Sequence, residues 1–301
     1  MLSIKKYAAV DIGSNAVRLL ISNIIEQKGK PVQFKKNSLV RVPIRLGADV
    51  FIKNRISKEN TQRMLDTMLA FKLLMKSHKV VKYKACATSA MRESENGKKI
   101  VDLILEQSGI SIDIIGGEEE AAIIAATDLN KYIDPNKTYL YVDVGGGSTE
   151  FTVIHQGKQA TSRSFKIGTV RLLNDMVKKE AWQELETWIK ENVKDYDKID
   201  VLGSGGNINK IFKISAKALG KPLSYFYLTS YYQTLQSYSY EERITELDLN
   251  QDRADVIIPA MRIYLSSMKW SGAKNIYVPK IGLADGIIKS IYYDTVSSNT
   301  Q

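Results

Sequence analysis

Two segments of this chain repeat one design. Val10-Asp11-Ile12-Gly13-Ser14-Asn15 and Val142-Asp143-Val144-Gly145-Gly146-Gly147-Ser148-Thr149 each read as an apolar strand that ends in an aspartate and runs into a turn of small residues. A carboxylate at a strand end can face a metal ion, and a turn without bulky side chains can aim backbone N–H groups at an anion. Taken singly, each segment suggests a phosphate-and-metal loop. Recurring in the two halves of the chain, they predict a duplicated domain with a phosphate chain held between the halves.

The flanking patterns repeat as well. Tyr7 to Ile12, Val17 to Ile25 and Val32 to Val42 read as three strands with short turns, a β-meander. Ser57 is a plausible N-cap for a long helix whose apolar residues include Met64, Leu65, Met68, Phe71 and Leu74. Strands at Tyr83 to Thr88 and Ser111 to Ile115 follow, each paired with a helix. The second half starts again with three strand-like runs, Thr138 to Val144, Thr149 to His155 and Gln159 to Phe165. Helices from Val170 and Trp182 come next, then a strand, Ile199 to Leu202, that meets the small-residue turn Gly203-Ser204-Gly205-Gly206-Asn207 and opens another helix. One helix over Gln251 to Ser271, a short strand over Asn275 to Val278 and a closing helix over Gly282 to Tyr292 complete the reading. A meander-first, alternating-later order that occurs twice implies two similar α/β domains with mixed sheets. We place them at 1–128 and 129–301, with the junction near 125 to 135 serving as a hinge.

Composition narrows the functional classes. At 301 residues and 44% hydrophobic, the chain can bury two cores of ordinary domain size. It has no apolar run of membrane-spanning length and no signal-like start, so the expectation is a cytoplasmic protein without a membrane partner. One cysteine, Cys86, cannot form an internal disulfide, and two isolated histidines, His78 and His155, cannot build a zinc cluster. Any metal is therefore held by oxygen. The net charge of +10 favours an anionic partner. Dispersed lysines with no nucleic-acid-binding signature argue against DNA or RNA.

The candidate site residues follow from chemistry. Asp143, at a strand end before three glycines, suits a hard Mg²⁺ ion. Asp11, its counterpart, either meets metal through water or organises its own loop. Ser14 and Asn15, the run Gly145, Gly146, Gly147, Ser148 and Thr149, and Gly205, Gly206 and Asn207 can offer backbone N–H groups to phosphates, the last at a helix N-terminus. Each of these loops, taken alone, also reads as a tight turn, and none closes the lysine-containing pattern of a Walker loop. Arg92 can place a planar fork on phosphate oxygens or pair with Glu93 or Glu95 at the surface. Arg18 points either to the site or to solvent. Glu118, Glu119 and Glu120 open a helix, where carboxylates gain about 0.3–1 kcal/mol each from the helix dipole. Neighbouring helical residues point about 100° apart, so at most one of the three can serve a site. Lys166, Arg163 and Arg171 either line the path of a polyanion or are ordinary solvated cations. The tyrosines between Tyr225 and Tyr240 read as core or dimer surface rather than a base-stacking platform.

Six segments in order, VDIGSNAVRLL, ATSAMRES, GGEEEA, VDVGGGSTE, LGSGGN and DRADVIIPA, resemble the exopolyphosphatase and guanosine pentaphosphate phosphohydrolase family, within the superfamily of actin, sugar kinases and heat-shock ATPases. The resemblance covers essentially the whole chain. It implies two ribonuclease-H-like domains with an interdomain cleft, and an enzyme that hydrolyses a terminal phosphoanhydride. It also implies that Glu120 is the general base with Glu119 as its companion, that Arg92 contacts phosphate, that Glu150 joins Asp143 as a carboxylate ligand of Mg²⁺, and that Arg253 and Asp255 form a structural pair. The substrate expected is inorganic polyphosphate. Guanosine pentaphosphate hydrolysis and non-catalytic binding of polyphosphate or guanosine tetraphosphate are the alternatives. Longer family members carry C-terminal helical domains, whereas this chain ends at Gln301, so short polyphosphates and low processivity are expected. A two-fold homodimer is the expected assembly.

Overall fold

A computed structural model of the chain describes residues 2–125, 127 and 133–298. It divides into two compact units, one formed by Met1–Thr127 with Leu283–Gln301 and the other by Asp128–Gly282.

In the first unit the meander forms as expected: β1 (Leu2–Ile12), β2 (Val17–Gln27) and β3 (Gln33–Val42) pair antiparallel in sequence. Gly29 adopts a left-handed φ of 79° in the β2–β3 turn. Helices α1 (Leu46–Lys53) and α2 (Lys58–Ser77) follow, then β4 (Lys82–Ala87), α3 (Ser89–Glu93), α4 (Gly97–Ser108), β5 (Asp113–Ile114) and α5 (Gly117–Ala125). Both β4 and β5 are parallel additions, which gives the sheet order β3-β2-β1-β4-β5. Residues 7 to 12 of β1 are all buried, as befits a central strand covered on both faces. Ser57 caps α2, its Oγ accepting from the Asn60 amide at 3.2 Å.

The second unit repeats the plan. The strands β6 (Thr138–Val144), β7 (Thr149–His155) and β8 (Lys158–Phe165) form the meander. Gln156 and Gly157, with φ of 50° and 71°, make the two-residue turn between the last two. Helices α6 (Thr169–Leu173) and α7 (Lys179–Val193) come next, followed by β9 (Ile199–Ser204), α8 (Gly206–Ile214), β10 (Leu223–Ser224), α9 (Tyr225–Ser237), α10 (Tyr240–Thr245), α11 (Gln251–Ala254), α12 (Ile257–Ser271) and β11 (Asn275–Tyr277). With β9 parallel to β6 and β11 parallel to β9, the order β8-β7-β6-β9-β11 matches β3-β2-β1-β4-β5 strand for strand, and β10 adds an antiparallel edge. The core of this unit gathers Phe151, Phe165, Trp188, Ile208 and Tyr264 around the sheet.

Three expectations change. The closing helix α13 (Leu283–Ser298) belongs with the first unit rather than with 129–301. Its Tyr292 packs edge-on against Phe34 with centroids 5.5 Å apart and donates to Glu26 at 2.9 Å, while Asp285 pairs with Lys36 at 2.8 Å. Gly286 sits so close to Ile123 that a Cβ would lie 2.2 Å from its carbonyl oxygen. The expected junction at 128/129 itself lies outside the described residues. The helix expected over Gln251 to Ser271 is two helices, because the ring of Pro259 would collide with the carbonyl four residues back, at Asp255. Helix α1 was not expected at all. The tyrosine-rich stretch is α9, whose Tyr225, Tyr227, Tyr231 and Tyr232 pack against the core while Phe226 is exposed. No helix among the described residues is long and apolar enough to cross a membrane.

Candidate functional site

The second unit carries the loop that most resembles an anion cradle. Gly145 to Ser148 forms a tight turn, closed by the Gly145 amide donating to the Ser148 carbonyl at 3.0 Å. The start of α6 grips it from one side. Thr169 donates to the Gly145 carbonyl at 3.0 Å, Val170 to the Gly146 carbonyl at 2.9 Å, and the Arg171 Nε to the Gly147 carbonyl at 2.8 Å. In a trans peptide the C=O and the following N–H point in opposite directions. Three successive carbonyls tied to α6 therefore turn the amides of Gly146, Gly147 and Ser148 the other way, which is how a backbone nest for phosphate is made. Gly168 permits the grip: a Cβ there would lie 2.3 Å from the Gly146 carbonyl oxygen.

Arg171 is thus a buried brace, not the solvated or polyanion-lining cation considered from sequence. Arg163 is surface-exposed, ion-paired with Glu184 and stacked over Phe165. Thr149 is fully buried and its hydroxyl donates to the Ile167 carbonyl, so its side chain serves the fold.

Two carboxylates stand beside this turn. Asp143 on β6 is directly opposite Glu150 on β7, and in the other direction opposite Ser204 on β9. Glu150 is 2% exposed, and its Oε1 accepts hydrogen bonds from Ser148 at 2.7 Å and Ser164 at 3.0 Å. Gly205, with φ of 116°, passes over Asp143 so closely that a Cβ would lie 3.6 Å from its Oδ1 and 2.9 Å from the Val144 carbonyl oxygen. Only glycine fits that conformation and space. The loop then opens α8 at Gly206 and Asn207, where N–H groups favour an anion. Tyr264, buried beneath, donates to the Ser204 carbonyl and holds the strand end. Burial, reinforced by the negative charge of Asp143, raises the Tyr264 phenol well above its ordinary range, so it stays a neutral donor.

The first unit has the same frame with different charges. Asp11 is directly opposite Arg18 and Cys86, and it forms an ion pair with Arg18 at 2.7 Å while only 5% exposed. That fixes Arg18 on the face of Asp11. Here α1 does what α6 does in the second unit: Gly47 donates to the Ser14 carbonyl at 2.7 Å and Arg45, with φ of 62°, to the Asn15 carbonyl at 3.1 Å. The amides of Asn15 and Ala16 are accordingly turned away from α1. The Ser14 hydroxyl is buried and bonded to that of Ser89 at 2.9 Å, so this clamp would act through its backbone.

Glu118 and Glu119 are exposed at the start of α5, and Glu120 is half-buried with its amide donating to the Gly116 carbonyl at 2.9 Å. Only one of the three turns inward, as the helical geometry requires. Arg92 anchors the approach to this helix, its guanidinium donating to the Ile115 carbonyl at 2.7 Å. Arg92 and Glu120 are thus brought to one segment of the first unit. Arg243 faces Asp255 electrostatically and donates to the Ala254 carbonyl at 2.9 Å, a role for Asp255 that the sequence did not suggest.

The facing carboxylates Asp143 and Glu150 are the residues that could hold a divalent metal ion. Among the described residues no group of three or more His, Cys, Asp or Glu converges on one point. Paired carboxylates such as Asp143 and Glu150, completed by water and substrate phosphates, are what Mg²⁺ commonly uses.

The sequence matches the Ppx/GppA phosphatase family over residues 38–294. It is 30% identical over 202 residues to the bifunctional 3-dehydroquinate synthase/phosphatase of Fusobacterium nucleatum, a match covering 63% of this chain and 30% of that protein. It is 32% identical over 168 residues to the guanosine-5'-triphosphate,3'-diphosphate pyrophosphatase of Photobacterium profundum, covering 56% of this chain and 32% of that one. The matched part is thus less than two thirds of either relative's length. In fold the chain is similar to an exopolyphosphatase from Cytophaga hutchinsonii, with a TM-score of 0.82 at 21% identity over 96% of this chain and 98% of that one.

Proposed function

The chain belongs to the Ppx/GppA phosphatase family, and from that membership we propose that it is an exopolyphosphatase that releases orthophosphate from the end of inorganic polyphosphate. The observation that carries this reading is the second unit's loop: three consecutive amides turned outward beside a pair of facing carboxylates. A phosphate chain supplies oxygens for the amides of Gly146, Gly147 and Ser148 and for the start of α8. Asp143 and Glu150 would hold Mg²⁺, which neutralises charge on the phosphoryl oxygens when bound.

Hydrolysis then needs little covalent work. A water oxygen attacks the terminal phosphorus, the bond to the bridging oxygen breaks, and the water proton passes to the Glu120 carboxylate. Arg92 adds a fixed positive charge for the transferring phosphoryl group. Arg18 neutralises Asp11, so we assign Asp11 to organising its own loop, and Asn15 to the phosphate clamp. The same reading places the protein in the cytoplasm as a two-fold homodimer.

Guanosine pentaphosphate is the second substrate to consider, since the Photobacterium relative is named for that activity and the bond cleaved is of the same type. Phosphate release measured side by side on polyphosphates of defined length, guanosine pentaphosphate and ATP, with and without Mg²⁺, decides between them. The expected result is Mg²⁺-dependent release that is fastest from polyphosphate and lost in Glu120→Gln, with polyphosphate binding retained. Faster release from guanosine pentaphosphate reassigns the substrate. Binding with no release from any of the three makes the protein a binder.

A further inference from the structure

The row of residues that crosses the second sheet at Asp143 does not end with the two carboxylates. Ser204 on β9, Asp143 on β6, Glu150 on β7 and Ser164 on β8 occupy one continuous register across four strands. Residues directly opposite one another share a face of the sheet, so the four side chains stand side by side. Like charges directly opposite repel. Here Glu150 is also buried, only 2% exposed, and two hydroxyls converge on the same oxygen: Ser148 from the turn and Ser164 from the outer strand. Two donors on Oε1 set the plane of the carboxylate.

We propose that Ser164 is a positioning residue for the divalent-cation site, orienting Glu150 toward the ion it shares with Asp143. The inference rests on the metal-dependent reading given above, but it concerns a residue to which that reading gives no part. Ser164 touches neither substrate nor metal in this scheme. It acts through Glu150, as the hydrogen-bond partners of metal ligands commonly do, and losing such a partner typically costs about 10–100-fold in metal affinity or activity. Ser148 supplies the other hydroxyl from the substrate-binding turn, so Ser164 is the place where orientation can be altered without disturbing the loop.

The test is Mn²⁺ binding followed by electron paramagnetic resonance, with wild-type protein, Ser164→Ala, Ser164→Thr and Ser164→Cys. Melting temperatures are measured without metal alongside. Loss of the hydroxyl in Ser164→Ala should weaken Mn²⁺ binding by roughly 10-fold while the metal-free melting temperature stays near that of wild type. Ser164→Thr, which keeps the hydroxyl on a residue suited to a strand, should restore affinity. Ser164→Cys, close in shape but a weak donor, should resemble Ser164→Ala and serves if the alanine variant does not fold. Unchanged Mn²⁺ affinity in both hydroxyl-less variants overturns the proposal, as does a fall in melting temperature with affinity intact, or a wild-type protein that binds no Mn²⁺. A wild-type protein that binds Mn²⁺ yet releases no phosphate from tripolyphosphate defeats the exopolyphosphatase reading alone. The Ser164 inference then still stands on the affinity difference.

Discussion

The two aspartate hairpins share a register and differ in what faces the aspartate. Asp11 is opposite Arg18 and Asp143 is opposite Glu150, seven residues downstream in each case. The flanking parallel strand supplies Cys86 to the first and Ser204 to the second. One frame thus produces a neutralised ion pair in one unit and two adjacent carboxylates in the other. The lesson is that duplication supplies geometry while single substitutions at fixed register positions assign charge: the first hairpin holds an internal ion pair, and the second sets two carboxylates opposite one another.

The comparison can be broken most severely by copying the first pairing into the second. Glu150→Arg should give Asp143 a guanidinium partner in place of a carboxylate. Metal-dependent phosphate release should then fall at least ~100-fold, more than the loss of a supporting hydrogen bond. Activity within a few-fold of wild type would remove Glu150 from the metal site.

A smaller effect is expected from the braces behind the two turns. Alanine at Gly168 would drive its Cβ into the Gly146 carbonyl at 2.3 Å, a backbone obstacle, whereas at Gly47 it meets the Phe51 ring at 2.8 Å and the Ser14 Cβ at 3.1 Å, both side-chain atoms. Gly168→Ala should therefore cost about 3 kcal/mol and Gly47→Ala nearer 1 kcal/mol, the high and low ends of overpacking. Chemical denaturation compares them, and equal losses would show that α1 and α6 grip their turns alike.

The smallest difference lies at Cys86 and Ser204. Burial pushes the Cys86 thiol up from its ordinary 9.0 to about 12, with nearby Lys84 opposing and carboxylates including Asp11 reinforcing the shift. A pKa raised in the folded state contributes stability below the unfolded value that is lost as pH rises through the folded one. The urea midpoint of the wild type should thus decline between pH 9 and 12 more than that of Cys86→Ala. Parallel declines would show that the thiol is not the cause. At pH 8 the native thiol should resist alkylation until the protein unfolds.

Much of this arrangement is legible in the sequence, because strand alternation and small-residue turns are local signals. The aspartate turns, both meanders and the Ser57 cap are read from neighbours only a few residues apart. What escapes is carried by distant contacts. Helix α1 hides behind Arg45, whose left-handed conformation goes with an amide bond to the distant Asn15 carbonyl. The return of α13 to the first unit depends on Phe34, Lys36 and Ile123, far away in the chain. Arg171 reads as a surface cation until the Gly147 carbonyl it supports is in view. The break before α12 was within reach, since Pro259 marks it.

The division of labour between the hairpins is tested most directly by titrating Mn²⁺ into the wild type, Asp143→Asn and Asp11→Asn by calorimetry, in the absence of substrate. The account predicts that Asp143→Asn abolishes the divalent site, while Asp11→Asn keeps it at near wild-type affinity and loses stability because the charge pairing of Asp11 with Arg18 is broken. Loss of the site in Asp11→Asn with retention in Asp143→Asn would contradict it.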